Sequence, residues 1–257
     1  MFGRAFKDLT TADIAEIKRV ALGEDWRIFG CSSPVFKCDI DDAAAVAAHV
    51  EEFKRSLAVA HELGSDLVRV FTFLRRSAGE NAALMPRVAT HLETLRTIAA
   101  GSKVRIGIEN EHSCIVATGG EAAAICTALP DLQFGIVWDP CNVLYVPGSE
   151  ANVTAAFPSF ANRVAHIHIK DARRATPKPG GLLAVAAPVG LGDVGWRAHL
   201  ATIAQSGYTG RFSLETHWRV IQIAEADLHL PAGYGFSRGG EEASRTCLHN
   251  LRELLPA

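Results

Sequence analysis

The six cysteines of this 257-residue chain, at 31, 38, 114, 126, 141 and 247, form no CxxC pair and no tight cluster. A disulfide framework is therefore not expected; the pattern suits reduced thiols, most of them core residues. The N-terminal stretch lacks an apolar, signal-like segment, and the expectation is a cytoplasmic protein. No apolar run approaches the ~20 residues needed to span a bilayer, so a membrane role is not expected. A long basic run is missing too, and the formal net charge is only −2. Nucleic acid and acidic membrane surfaces are thus poor partners on electrostatic grounds, and small molecules fit better. There is no internal repeat, and low complexity is confined to Ala-rich helical stretches.

What the chain does have is apolar residues in quantity. At 48% hydrophobic and 21% charged it can bury a large core as one α/β domain spanning 1–257. Helical and strand patterns alternate. The patterning predicts a helix over Asp8–Leu22, a strand over Asp25–Ser33, and a long amphipathic helix over Asp41–Leu63 stopped by Gly64. A strand at Leu67–Phe73 follows, then a helix at Asn81–Ala100 closed by Gly101, and a strand at 104–109. A helix near Gly120–Leu129, a strand at 134–139, a short helical piece around 150–161 and a strand at 164–170 come next. The Pro- and Gly-rich stretch Ala172–Gly195 reads as a long loop, and a loop of that length inside a compact domain is more often functional than idle. Helices at Trp196–Gly207 and Glu241–Leu255 flank a last strand at 211–215.

The strands carry the chemistry. In Val104-Arg105-Ile106-Gly107-Ile108-Glu109 the apolar residues share one face and Glu109 lies on the other. Phe134-Gly135-Ile136-Val137-Trp138-Asp139 and Arg211-Phe212-Ser213-Leu214-Glu215 repeat the arrangement. In Val164-Ala165-His166-Ile167-His168-Ile169-Lys170 both histidines and the lysine fall on one face. A continuous apolar face and a narrow polar one suit a parallel sheet covered by helices outside and surrounding a site within. The βαβα order implies parallel strands with right-handed crossovers. A barrel of such strands places its chemistry at their C-terminal ends, where Glu109, Asp139, His168 and Glu215 lie. Six strands are counted where a closed (β/α)8 barrel has eight. An open sheet and a barrel without its first pieces both fit that count.

In order and spacing these segments resemble the xylose isomerase-like TIM barrels, specifically the sugar-phosphate isomerase/epimerase family, which includes inosose dehydratases and ketose epimerases. The matching stretches are Ile108-Glu109-Asn110, Trp138-Asp139-Pro140-Cys141-Asn142, His166 to Asp171, Pro188 to Trp196, and Gly207 to Glu215, with Ser33-Pro34-Val35-Phe36-Lys37 and Leu63-Gly64 in support. The resemblance implies an α/β fold of (β/α)8 TIM-barrel type and a divalent ion held by Glu109, Asp139, His168 and Glu215 at the ends of barrel strands five to eight. It also implies that the first two barrel strands are absent from this chain, Phe2-Gly3-Arg4 beginning just after the second. One residue departs from the pattern: Asn142 stands where ketose epimerases carry a His.

Three carboxylates in a partly dry cavity repel one another unless a cation sits among them. An oxygen-rich set with one imidazole favours Mn²⁺, Mg²⁺ or Co²⁺, with Zn²⁺ also compatible. The reaction expected is proton abstraction beside the carbonyl of a sugar or polyol-like ketone, through an enediolate, with Glu109 and Glu215 as base and acid. Returning the proton gives an isomerase or epimerase; expelling hydroxide gives an inosose-type dehydratase, a lyase.

Around this set, His166 reads either as a packing histidine or as a partner orienting a ligand. Lys170 reads as a donor to substrate or as a salt bridge to Asp171 or a nearby acid. Lys37 and Arg174 could hold substrate oxygens at the mouth or be surface charges, and Asn142 could bind substrate or close a turn. His112 and His217 follow metal-ligand candidates but sit on strand exits, where their spacing does not bring them onto the ion. Gly190 and Gly192 lack the Lys-Ser/Thr of a P-loop and read as a lid or turn. A nuclease on this barrel would need more His and acidic ligands and a basic groove. The remaining alternatives are a non-catalytic metal- or sugar-binding remnant, or a subunit completed by another chain. An open sheet edge makes a homo-oligomer the natural assembly to expect.

Overall fold

The computed structural model describes residues 6–149, 153–176, 183–221 and 238–255. Six parallel strands form one sheet: β1 (Gly30–Ser32), β2 (Leu67–Val70), β3 (Arg105–Glu109), β4 (Phe134–Trp138), β5 (Val164–Ile169) and, after an inserted hairpin, β8 (Phe212–Leu214). They lie side by side in chain order, β1-β2-β3-β4-β5-β8, as a half barrel of the (β/α)8 type. Among the described residues β1 and β8 are the two edges and do not pair.

Helices α1 (Thr11–Gly23), α2 (Ala43–Leu63), α3 (Ala78–Ile98), α4 (Gly119–Ala128), the single turn α5 (Pro140–Val143), α6 (Trp196–Gln205) and α7 (Gly240–Leu254) alternate with the strands. Their starts follow from local chemistry. Ser77 and Glu80 close a reciprocal capping box at α3, and Thr118 and Glu121 do the same at α4. Gly64 ends α2 in the left-handed conformation, φ 66°, which costs a residue without Cβ nothing. The expected division of the sheet faces holds. Ile106, Ile108, Phe134, Ile136 and Trp138 are all buried in the main apolar core, while Glu109 ends the opposite face.

Three sequence expectations are corrected. The strand expected from Asp25 begins only at Gly30, because Asp25 adopts φ 53° and Trp26 N–H still donates to Ala21 O of α1 at 2.7 Å. The strand expected to run to Phe73 stops at Val70; Phe73 sits at φ 66°, and residues 71–74 bond instead to the loop at 35–38. The stretch 172–195 is not structureless. It holds an antiparallel pair, β6 (Asp171–Arg174) and β7 (Ala184–Ala187), whose connection at 177–182 lies outside the described residues. The helical piece near 150–161 is two 3₁₀ turns, Phe157–Ser159 and Ala161–Arg163, and its first residues, 150–152, are likewise outside. Phe2, Gly3 and Arg4, from which the position of the chain start was read, fall there too.

Although the sheet edges do not pair, they approach each other at one end. Phe29, just before β1, packs at a 46° tilt against His166 of β5 with ring centroids 4.5 Å apart, and the Arg211 guanidinium, just before β8, lies 5.6 Å from the Phe29 ring. The curl that brings these side chains together is the right-handed strand twist accumulated over six strands. Its effect is to aim the opposite, C-terminal strand ends at one point. No helix of the described residues is long and apolar enough to cross a membrane.

Candidate metal centre at the strand ends

Glu109 closes β3, Asp139 follows β4, His168 lies in β5 and Glu215 follows β8. One ligand atom from each lies within 4.8 Å of all the others. His168 Nδ1 is 3.0 Å from Glu215 Oε2, 3.3 Å from Glu109 Oε1 and 3.8 Å from Asp139 Oδ2. Glu109, Asp139 and His168 are buried, whereas the Glu215 side chain retains 39% of its exposure and faces the opening.

Local structure fixes each donor. Asp139 is the N-cap of α5: its Oδ1 accepts from Cys141 N–H at 3.0 Å and Asn142 N–H at 3.1 Å, with Pro140 preset at the first helical position. Capping consumes one oxygen and leaves Oδ2 as the free donor. The peptide flanks of Asp139 are held by Asn110, whose Oδ1 accepts from Asp139 N–H at 2.7 Å and whose Nδ2 donates to Asp139 O at 2.8 Å. Glu215 N–H donates to Ile169 O at 2.9 Å, which carries the β5–β8 ladder up to the site.

Three buried atoms of the cluster have no hydrogen-bond partner among the described residues: Glu109 Oε2, Asp139 Oδ2 and His168 Nδ1. Each has an oppositely charged neighbour at 2.7–3.0 Å but no aligned hydrogen bond, so the convergence of buried carboxylates still needs an explanation. A divalent cation supplies one, and the donor set, carboxylate oxygens plus one imidazole, fits such an ion.

Two permanent cations face the same carboxyl groups. Lys170 Nζ lies 2.7 Å from Asp139 Oδ2 and 3.5 Å from Glu215 Oε2. Burial alone would lower its pKa, but Asp139, then Glu215 and Glu109, outweigh it and hold the group well above the ordinary lysine value. Arg69 Nε stands 2.9 Å from Glu109 Oε2. For His168, too, burial acts to lower the pKa; the acceptors Asp139, Glu109 and Glu215 reverse this and raise it well above the ordinary value. The protein thus places its own positive charge against the carboxylate cluster.

Other residues singled out in the sequence fall at varying distances from this chemistry. Lys170 pairs with Asp139 and Glu215, not Asp171, because both Asp171 oxygens are taken by the backbone N–H groups of Ala172, Gly190, Gly192 and Val194 at 2.9–3.2 Å. That knot makes the Gly190–Gly192 segment a fixed turn; a Cβ on Gly192 would collide with Asp171 Oδ1 and Ala172 O.

His166 sits below the cluster, its Nε2 2.7 Å from Ser213 Oγ and its ring 5.4 Å from that of His168. Burial, with the nearby His168, pushes its pKa down to about 4. A cavity of about 210 Å³ opens there, lined by Phe29, Ser32, Arg69, Val137, His166 and Ser213 among others. Asn142 is buried with its amide donating to Asn110 O at 2.8 Å. Lys37 Nζ is 3.4 Å from Glu111 Oε1 and 4.9 Å above the Phe71 ring. The Arg174 guanidinium lies 3.4 Å from Ser149 Oγ. His112 Nδ1 is 3.0 Å from Glu111 Oε1, away from the four donors, and His217 is exposed.

Arg69, Asn110 and Asp171 were missed. Arg69 carried a signal: it is the one charged residue in the otherwise apolar strand sequence Leu67-Val68-Arg69-Val70-Phe71.

Comparison with known proteins agrees with this geometry. The pattern of the xylose isomerase-like TIM barrel family matches residues 2–238. The chain belongs to that family. A comparison with curated proteins gives no significant match. Among solved structures, the IOLI protein with a bound zinc atom aligns with this chain at 18% identity and TM-score 0.72, with 97% of this chain and 82% of that chain covered. A xylose isomerase-like TIM barrel protein from Mycobacterium smegmatis in complex with magnesium aligns at 17% identity and TM-score 0.67, covering 95% and 81%. D-allulose 3-epimerase from Methylomonas sp. in complex with D-allulose aligns at 15% identity and TM-score 0.69, covering 95% and 82%. At these identities the likeness establishes the fold.

Proposed function

We propose that this xylose isomerase-like barrel is a divalent-metal-dependent isomerase or epimerase acting on a sugar or polyol-like ketone through an enediolate. The observation that carries the proposal is the convergence of Glu109, Asp139, His168 and Glu215 within 4.8 Å at the C-terminal strand ends, three of their buried atoms having charged neighbours but no hydrogen bond. The sugar ligand of the Methylomonas epimerase and the ions of the two metal-bound relatives support it. A divalent ion, Mn²⁺, Mg²⁺ or Co²⁺ by ligand type with Zn²⁺ compatible, would supply Lewis acidity toward a substrate carbonyl.

The chain's own groups divide the remaining work. Glu215, partly exposed, is placed to take or return a proton at the carbon beside the carbonyl, and Glu109, from β3 three strands away in the same sheet, supplies the second carboxyl. Lys170, held between Asp139 and Glu215, is placed to donate to a developing oxyanion. Lys37 contributes a half-exposed cation at the rim.

The test begins with elemental analysis of protein purified without added metal, beside a Glu109→Gln/His168→Ala control. About one equivalent of divalent ion, absent from the control, is expected. Ketoses and inosose-like ketones incubated with the loaded protein in D₂O should then gain deuterium beside the carbonyl, and Glu215→Gln should slow that exchange about 10²- to 10⁴-fold with the fold intact. Metal-free protein that resists reconstitution, or wild-type exchange in Glu215→Gln, would overturn the proposal.

A further inference from the structure

Arg69 occupies an unusual place. Its strand neighbours Val68 and Val70 are fully buried in the apolar core, while Arg69 lines the cavity on the inner face of the sheet. In register it pairs with Gly107 of β3, and its long side chain leans along the strand to reach Glu109, two residues further on. Such diagonal neighbours across a strand pair are within reach only of long or aromatic side chains.

Three contacts hold the guanidinium. One nitrogen donates to Ser33 O at 2.8 Å, the Phe71 ring lies 4.1 Å from the central carbon, and Nε forms an ion pair with Glu109 Oε2 at 2.9 Å without the alignment of a hydrogen bond. The strand itself is pinned from the other side, because Ser33 Oγ donates to Arg69 O at 2.8 Å. Lys37 Nζ lies 4.9 Å from the centroid of the same Phe71 ring. A planar group fixed on an aromatic face and a carbonyl has little freedom left, unlike the point charge of a lysine.

The consequence falls on Glu109. Its two oxygens face different partners: Oε1 lies 3.3 Å from His168 Nδ1, and Oε2 faces Arg69. We infer that Arg69 is a positioning residue that holds Oε2 of Glu109 and so presents Oε1 alone to the ion, making Glu109 a one-oxygen ligand of fixed direction. Asp139 reaches the same state by a different device, its Oδ1 being consumed by the α5 cap. The inference rests on the metal-centre reading above, adds a residue to it and narrows the chemistry: with both Glu109 oxygens engaged, proton transfer falls to Glu215.

The test is a double-mutant cycle read by Mn²⁺ binding, with free Mn²⁺ followed by electron paramagnetic resonance and the metal-free thermal midpoint of every variant recorded. Removing a partner that orients a ligand should cost about 10- to 100-fold in Mn²⁺ affinity, so Arg69→Met should show that loss and Arg69→Lys should recover only part of it. In a Glu109→Gln background, which keeps three donors and is titrated to millimolar Mn²⁺, Arg69→Met should change affinity by less than about threefold.

A purely structural role would lower affinity equally in both backgrounds. A purely electrostatic one would make Arg69→Met bind Mn²⁺ more tightly and leave Arg69→Lys unchanged. Either result overturns the inference while leaving the metal centre standing. A wild-type protein that takes up no Mn²⁺ overturns the metal reading and this inference together.

Discussion

Asn110 brackets the peptide of Asp139 from both sides, accepting its N–H at 2.7 Å and donating to its C=O at 2.8 Å. All of these groups are buried. Where β3 and β4 end, one amide side chain thus continues the ladder that the backbone has stopped supplying, and it does so at the residue that caps α5 and offers Oδ2 to the cluster. Asn142 extends the staple by donating to Asn110 O.

Asn110→Ala should therefore cost more than the loss of a packing atom. It leaves the buried N–H and C=O of Asp139 and the C=O of buried Ala117 without this side chain, at about 1–3 kcal/mol each, so a destabilisation of at least about 3 kcal/mol is expected from urea unfolding. A loss under about 0.5 kcal/mol for Asn110→Ala, the range of an ordinary surface change, would show that water can replace the staple.

The second prediction concerns the charge that the protein keeps for itself. Lys170 is buried with its ammonium against Asp139, which is also fully buried. Breaking a buried pair by removing one partner typically costs about 3–5 kcal/mol, because the other is left uncompensated. Lys170→Met should accordingly lower the thermal midpoint of metal-free protein, and saturating Mn²⁺ should raise it more in the variant than in wild type, since the ion takes over the lost charge. Equal Mn²⁺ stabilisation of the two proteins would mean that Lys170 and the ion do not answer the same carboxyl groups.

Much of the site was legible because it depends on alternation. Once the apolar residues of 104–109, 134–139 and 211–215 are assigned to the helix-covered face, Glu109, Asp139 and Glu215 must lie on the other, and parallel order puts them at one end. Helix stops such as Gly64 were readable for the same local reason. What escaped are features set by contacts far apart in the chain. Arg69 meets Glu109 across 40 residues, and Asn110 meets Asp139 across 29. The β6–β7 pair hides in Pro- and Gly-rich sequence because strand pairing there is fixed by the Asp171 knot, with no hydrophobic alternation to announce it. Positive φ at Phe73, which shortened one strand, is a tertiary choice that an aromatic residue does not favour, whereas Asp25 takes it as part of the local close of α1.

The last prediction lies under the site. His199 is fully buried, with Trp138 Nε1–H donating to its Nε2 at 2.9 Å and Nδ1 3.1 Å from Thr154 Oγ1. Indole is only a donor, so Nε2 must be the acceptor and the proton must sit on Nδ1, donated to the threonine. A second proton would have to displace the Trp138 bond, and burial pushes the pKa from 6.5 to about 4. The sign follows from proton counting. Between pH 6.5 and about 4 the unfolded chain binds more protons at this residue than the folded one, so stability rises with pH across that window and is lost on acidification. At 1.36 kcal/mol per pH unit this amounts to about 3 kcal/mol, additional to any contribution from His166. His199→Gln keeps an acceptor for Trp138 and a donor for Thr154 but cannot titrate. Urea unfolding from pH 7 to pH 4 should show wild type losing its advantage over His199→Gln as the pH falls. Parallel curves for the two proteins would mean that the folded state accommodates the imidazolium, and with it that the Trp138 bond does not hold the histidine neutral.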